Sequence, residues 1–417
     1  MNLWGGRFKE DIHPLVKNFT FSGEADKNLY KFDISGSIAH ARMLAKCGII
    51  KEQEAERIIK SLKEIREDIK EGKIDLSKKE DVHMAVEEEL IQREKNVGKK
   101  LHTARSRNDQ ITLDERLYLR EEIESIFNLI YRFQLTLLEI SEKNKSLIIP
   151  GYTHLQYAQP VSVAHHLLAY FWMLQRDRER LRDCYKRTNV CPLGAGALAG
   201  TSLPIDREYV AKLLNFPSIT ENSMDTVSDR DYLIEFLACC SIIMMHLSRF
   251  CEDIILWASP LLNFIEIGER FSTGSSLMPH KKNPDIVELI RGKTGKVYGA
   301  LLSLLVTMKA LPLCYNRDMQ EDKPPVFKVA EEIKISIEVL TELMKNVKFN
   351  PEKMRERAKD GFFAATDLVE YLVKKGVAFR DAHKTVGKMV RWCIDNKKDL
   401  TQLTIEEYKK FSPFFKE

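Results

Sequence analysis

Apolar residues recur at steps of three and four from Leu119 through Ile123, Ile126, Phe127, Ile130, Phe133 and Leu137 to Ile140. That spacing lays one apolar stripe along a helix, whereas a strand would need strict alternation. The helix has room to run, because no glycine or proline lies between Gly98 and Pro150. Three further stretches lack both breakers, between Pro160 and Pro192, Pro217 and Pro260, and Pro325 and Pro351, and each predicts another long helix. At ~1.5 Å per residue, roughly 35 residues span about 50 Å, more than one small domain needs for its own core. The stretch from Tyr232 to Leu247 is apolar on nearly every side, which places it at the centre of a bundle. Helices too long and too apolar for one subunit predict partner copies. Shorter helical patterns flank this block, Lys51 to Lys70 ending at Gly72 and Asp367 to Lys375 ending at Gly376. The pattern predicts an all-α fold of three helical domains: an N-terminal domain over 1–105, a long-helix bundle over 106–355 and a small C-terminal domain over 356–417.

Charge narrows the function classes. Lysine and arginine total 65 against 61 acidic residues, a formal net charge of +4, too balanced for a nucleic-acid binder or a polybasic membrane anchor. The first residues lack the apolar stretch of a signal peptide, and no uninterrupted apolar run approaches a membrane span, since Glu235, His246 and Lys309 cut the nearest candidates. The 8 cysteines form no CxxC pair and no zinc-ligand spacing, which fits a reduced cytoplasmic protein.

Polar chemistry concentrates in three segments between the long helices. In Gly274-Ser-Ser-Leu-Met-Pro-His-Lys-Lys-Asn-Pro-Asp285, glycine and paired serines offer backbone N–H groups to an anion, Lys281 adds a cation and Asn283 an amide. Pro279 and Pro284 keep these groups off a helix. In Leu101-His-Thr-Ala-Arg-Ser-Arg-Asn-Asp-Gln110, Arg105 and Arg107 can clamp carboxylates and Asn108 can hold an oxygen, although Asp109 also suits a plain helix cap. In Gly151-Tyr-Thr-His-Leu-Gln156, His154 sits in a loop between helices with Thr153 beside it; alone, such a histidine is more often structural than catalytic. Gly194-Ala-Gly-Ala-Leu-Ala199 matches a loose dinucleotide fingerprint without the strand that should precede it, and reads as a close-packed loop. Adjacent His165 and His166 cannot share a helix face as metal pairs do.

The first of these segments resembles the signature loop of the fumarase/aspartase superfamily. Trp4-Gly-Gly-Arg-Phe8, Arg105-Ser-Arg-Asn-Asp-Gln110, Gly151-Tyr-Thr-His-Leu-Gln156, Tyr315-Asn-Arg-Asp-Met-Gln-Glu-Asp-Lys323 and Ala365-Thr-Asp-Leu-Val-Glu-Tyr-Leu-Val-Lys-Lys-Gly376 are similar to the argininosuccinate lyase family within it. The resemblance implies reversible β-elimination of argininosuccinate to arginine and fumarate, the last step of arginine biosynthesis. It also implies a homotetramer with a central helical bundle and active sites each shared by three subunits. By similarity Ser275 is the general base, and His154 with Glu288 the general acid side. Lys281 and Asn283 hold the carboxylate that gains charge, and Ser22, Arg107, Asn108, Thr153, Tyr315, Gln320 and Lys323 bind the rest of the substrate, with Arg230 a further member. The chemistry calls for no cofactor and no metal. The sequence departs from the family at Ala104, where glycine is usual, and at His280, where glutamine is usual. A histidine at the latter place is more typical of adenylosuccinate lyase, the alternative enzyme, while a non-enzymatic structural relative is the alternative outside catalysis.

Overall fold

In the computed structural model, which describes residues 10, 12–76, 79–359 and 362–416, helices dominate as the periodicity predicts. They include Tyr30–Lys46 (α1), Glu52–Lys70 (α2), Val82–Glu94 (α3) and Arg107–Lys143 (α4). A hairpin of Ile148–Thr153 (β1) and Gln156–Ser162 (β2) precedes Val163–Thr188 (α5) and Asp231–Ala258 (α6). A second hairpin, Thr273–Gly274 (β3) with Lys282–Asn283 (β4), leads into Asp285–Met308 (α7), Lys323–Lys345 (α8), Ala365–Lys374 (α9) and Phe379–Asp395 (α10). The motif Trp4-Gly-Gly-Arg-Phe8 lies outside the described residues.

The stripe on α4 explains its length. Leu119, Ile123, Ile126, Ile130, Phe133 and Leu137 are all within 2% of complete burial, and Ile140 is half-buried. Tyr131, Leu135 and Leu138 form a second apolar set on the same helix and remain exposed. On α6, Leu233, Phe236, Leu237, Cys240, Ile243, Met244 and Leu247 are buried. This helix is long and apolar enough to cross a membrane by length and composition, in spite of Glu235 and His246, but it is a core helix. Helix ends follow local chemistry: α2 stops at Gly72 (φ +75°) and α9 at Gly376 (φ +91°), backbone states that glycine adopts without steric cost.

The chain divides into two compact units. One consists of Met1–Ile130, Arg176–Met245 and Lys293–Ser336, the other of Tyr131–Gln175, His246–Gly292 and Ile337–Glu417. The expected three-domain division follows chain order, whereas each unit draws on three separate stretches. In the first unit, Ile34, Leu44, Ile58, Leu62, Leu90 and Leu113 share a core with Cys191, Leu193, Val210 and Phe216 from far along the chain. In the second, Val369, Leu372, Val386, Met389, Cys393, Leu400 and Phe415 make a separate core of C-terminal residues.

Two segments expected as loops are hairpins. In β1–β2 the partners run from Ile148 opposite Ser162 to Thr153 opposite Gln156, with an irregularity between Pro150 and Tyr152. Gly151 sits there, and a Cβ on it would lie 2.6 Å from the Gln159 carbonyl oxygen, so only glycine fits. The Gly194–Gly200 segment is the expected close-packed loop: Asp109 Oδ2 accepts from the Gly194 and Gly196 amides at 3.0 and 2.9 Å.

Ala104 has φ +61°, a left-handed conformation that crowds a Cβ. The departure from glycine at this position is therefore a strained one. Ala104→Gly should raise the unfolding free energy by about 1 kcal/mol in denaturant titration, and a loss of stability would contradict this account of the turn.

Candidate active site

The signature segment is the tip of the β3–β4 hairpin, in which Thr273 faces Asn283 and Gly274 faces Lys282. Residues 275–281 form the connection, and two interactions shape it. The Ser275 hydroxyl oxygen accepts from the backbone amides of Leu277 (3.2 Å) and Met278 (3.0 Å), and the Lys281 amide donates to the Met278 carbonyl (3.1 Å). Donors aimed at a hydroxyl oxygen favour its deprotonated form, which is what a serine needs to act as a base. The Thr273 hydroxyl donates to Asp285 at the start of α7, fixing the hairpin to that helix. Lys282 pairs with Glu266 at 3.1 Å. Strand alternation then turns Asn283 to the opposite side. Lys281 is exposed and has no ion-pair partner among the described residues.

His154 and Leu155 are the two central residues of the β1–β2 turn, each with φ +56°. A two-residue hairpin turn of this type requires positive φ at both positions and is usually made with asparagine and glycine. Here a histidine and a leucine carry the strain, which thrusts the imidazole out at the tip. Thr153 precedes it at the end of β1, and both side chains are exposed. Glu288 is exposed on the first turn of α7. Among the described residues no hydrogen bond or ion pair joins His154 to Glu288. Ser275, Lys281, Asn283, His154, Thr153 and Glu288 all belong to the second compact unit.

Of the expected substrate-binding residues, Ser22, Arg107, Asn108, Arg230, Tyr315, Gln320 and Lys323 belong to the first unit, and Arg230 and Lys323 share a buried network there. The Ser22 hydroxyl donates to Asp26 Oδ2 at 2.5 Å. Gln320 Nε2 donates to the Thr20 carbonyl (3.3 Å), and Arg317 bonds that carbonyl, Glu80 and the Gln320 side chain. Lys323, 5% exposed, lies 2.8 Å from Asp322 and 3.5 Å from Glu115. Arg230, 1% exposed, places Nε 2.5 Å from Asp322 and 3.3 Å from Glu115, which also accepts from the Tyr232 hydroxyl at 2.7 Å. Burial pushes the Glu115 carboxyl up to about 7 in spite of Arg230 and Lys323. Burial opposes the charge of Lys323, but Asp322 and Glu115 outweigh it and hold its ammonium firmly protonated. Half-buried Tyr315 stands within the field of Lys323, Arg317, Asp322 and Arg230, and burial raises its phenol above the ordinary value.

Arg107 and Asn108 open α4. Arg107 Nη1 donates to Gln110 at 2.9 Å, with Asp81 and Glu87 carboxylates each at 3.6 Å, and Asn108 Nδ2 donates to the Ala197 carbonyl at 3.4 Å. Arg105 is instead half-buried and donates to Ser37 at 2.9 Å. Sequence reasoning missed Asp26, Asp81, Glu87, Glu115 and His83. Glu115 left a trace, because it falls four residues before Leu119 on the buried stripe, where a charge demands a buried partner. Asp33, His83 and Asp114 have ligand atoms within 4.8 Å of one another, close enough for a cation. His83 Nε2 and Asp114 Oδ2 share a hydrogen bond of 2.8 Å, and Gln110 donates to Asp33 Oδ1.

Comparison with known proteins decides what this arrangement belongs to. A general lyase family profile matches residues 6–299, and the profile of the argininosuccinate lyase C-terminal region matches 362–417. Argininosuccinate lyase of Syntrophus aciditrophicus (strain SB) is 58% identical over 99% of this chain and 88% of its own length. That of Acetivibrio thermocellus is 55% identical over 100% of this chain and 91% of its own. The chain belongs to the argininosuccinate lyase family. Among solved structures, an EDDS lyase in complex with formate superposes with a TM-score of 0.84 at 26% identity, covering 93% of this chain and 77% of that one. A class II fumarase from Schistosoma mansoni, 19% identical, has a TM-score of 0.81 over 94% of this chain and 89% of its own, and shows the shared fold. Both hairpins and the α4–α7–α8 residues therefore belong to the fold of an argininosuccinate lyase family member.

The burial of Arg230 gives a test of its role. Arg230→Met leaves Asp322 and Glu115 short of a counter-charge, so unfolding free energy should fall by about 3–5 kcal/mol. Unchanged stability with weakened substrate binding would mean that Arg230 serves the substrate directly.

Proposed function

We propose that this chain cleaves argininosuccinate to arginine and fumarate, with Ser275 as base and His154 as acid. The identity of 58% to an argininosuccinate lyase across the whole chain carries the reaction, and the hydrogen bonding of Ser275 supports its role. Ser275 removes the proton from the carbon beside a substrate carboxylate, and the electron pair moves into that carboxylate as an aci-carboxylate. Lys281, Asn283 and the backbone amides of the hairpin tip stabilise the added charge. The pair then returns to form the carbon–carbon double bond of fumarate as the C–N bond breaks. His154, oriented by Glu288, protonates the departing guanidino nitrogen or balances its charge. Ser22, Arg107, Asn108, Thr153, Tyr315, Gln320 and Lys323 bind the remaining substrate groups, and Arg230 acts on them through Asp322. A proton transfer and a C–N cleavage leave no electrons to pass to a cofactor.

The working form is a homotetramer with sites built from three subunits. The exposed apolar face of α4 supports this, together with Leu289, Leu302, Leu305 and Val306 on α7. Gly292, Gly295 and Gly299 on α7 have open space where a Cβ would stand, room for another helix to approach closely. The missing contact between His154 and Glu288 fits the same picture, with the pair completed by different copies. All 8 cysteines are free, which supports a cytoplasmic setting.

Purified protein mixed with argininosuccinate should release fumarate, followed in the ultraviolet, and should release none from adenylosuccinate; the reverse pattern would overturn the substrate assignment. Ser275→Ala should abolish turnover while the assembly stays intact, and unfolding or near-normal turnover would remove Ser275 as base. His154→Asn should lower turnover strongly with substrate binding retained.

A further inference from the structure

His83, the second residue of α3, is 1% exposed and stands among three carboxylates. Its Nε2 lies 2.8 Å from Asp114 Oδ2 and its Nδ1 3.7 Å from Asp81 Oδ1, with Asp33 completing the cluster. The buried carboxyl of Asp26 and the half-buried guanidinium of Arg105 also face this cluster. Burial disfavours a charged imidazole, but Asp114, Asp81 and Asp33 outweigh it and push His83 up to about 10. Held between Asp114 and Asp81, the ring favours its charged form.

Two routes lead from this cation to Arg107. Asp81 caps α3 by accepting from the Met84 amide through Oδ1 (2.6 Å) and turns Oδ2 toward Arg107 Nε at 3.6 Å. Burial favours the protonated form of Asp81, yet His83 and Arg107 keep its carboxyl well below the ordinary range, so it stays an anion. The second route passes through Asp33, which accepts from Gln110 Nε2, while Gln110 Oε1 accepts from Arg107 Nη1 at 2.9 Å. Glu87, 3.6 Å from Nη2, flanks the guanidinium on its remaining side. Arg107 is thus steered by groups that are themselves set by His83, and it keeps further N–H donors for a ligand.

We propose that His83 is a positioning residue for substrate binding: it holds Asp81 and the Asp33–Gln110 pair in place, and these aim Arg107 at a carboxylate of the substrate. This inference rests on the reading that Arg107 binds substrate. His83 itself, enclosed among Asp33, Asp81 and Asp114, touches no reacting atom.

The test is steady-state kinetics of argininosuccinate cleavage by His83→Gln, Asp81→Asn, their double variant and Arg107→Lys. Asparagine retains the cap on α3 while removing the charge that faces Arg107, so Asp81→Asn keeps the test open if His83→Gln fails to fold. Each single variant should raise KM by about tenfold with kcat within about threefold of wild type, the mark of lost binding common to ground and transition states. The double variant should be no worse than the more impaired single one, because the Asp81 route is one that His83 already controls. A KM rise in Arg107→Lys with none in Asp81→Asn or His83→Gln overturns the inference alone. So do multiplying effects in the double variant. A normal KM in Arg107→Lys overturns the placing of Arg107 on the substrate, and the inference falls with it.

Discussion

An aci-carboxylate forms at a useful rate only where water is kept from the groups that handle its charge, and several of the groups proposed here for that work are exposed in the chain. Lys281 and His154 are exposed on two hairpin tips, and Glu288 is exposed on the first turn of α7. A low-dielectric enclosure makes a cation and a few amides decisive for a developing negative charge, whereas in water the same groups contribute little. The chain's own packing leaves that enclosure unmade. The exposed leucines of α7 and the second apolar set on α4 show the same incompleteness in the bundle. Under the proposed assembly, further copies finish the core and the site together.

The two compact units carry different chemistry. The second holds the hairpin residues proposed for proton transfer, on short strands whose turns are set by backbone demands: Gly151 where no Cβ fits, and His154 and Leu155 at positive φ. Strain of this kind persists only where surrounding structure over-determines it, and here it fixes the direction of the imidazole. The first unit holds most of the residues proposed to bind substrate, and buried ion pairs fix Arg230 and Lys323 there. Arg230, Lys323, Asp322 and Glu115 neutralise one another out of water, as do His83, Asp81, Asp114 and Arg105. Such networks add little net stability, but losing one member leaves a bare charge, so they hold their geometry firmly.

Much of this was legible in the sequence. The long helices could be read because three- and four-residue periodicity and the absence of breakers act locally, and the stops at Gly72 and Gly376 follow from one residue each. The hairpins were not legible: β3 and β4 have two residues each, and β1–β2 contains two prolines and a glycine instead of an alternating pattern. Ser275, His154 and Lys281 stood out by motif, because their chemistry is concentrated in short segments. Asp26, Asp81 and His83 did not, since each matters through partners such as Ser22, Arg107 and Asp114 that only folding brings near. Glu115 could have been found as a charge on an apolar stripe.

The central claim is that the proton-transfer groups of one site come from different copies of the chain, and subunit mixing tests it most directly. Ser275→Ala and His154→Asn chains, each prepared separately, are unfolded together and reassembled, and fumarate release from argininosuccinate is measured. If Ser275 and His154 of a site belong to different copies, random assembly restores sites with both residues intact, at about a quarter of the wild-type level. Mixed assemblies that form and stay as inactive as their parents would place both residues of each site on one chain and contradict the account.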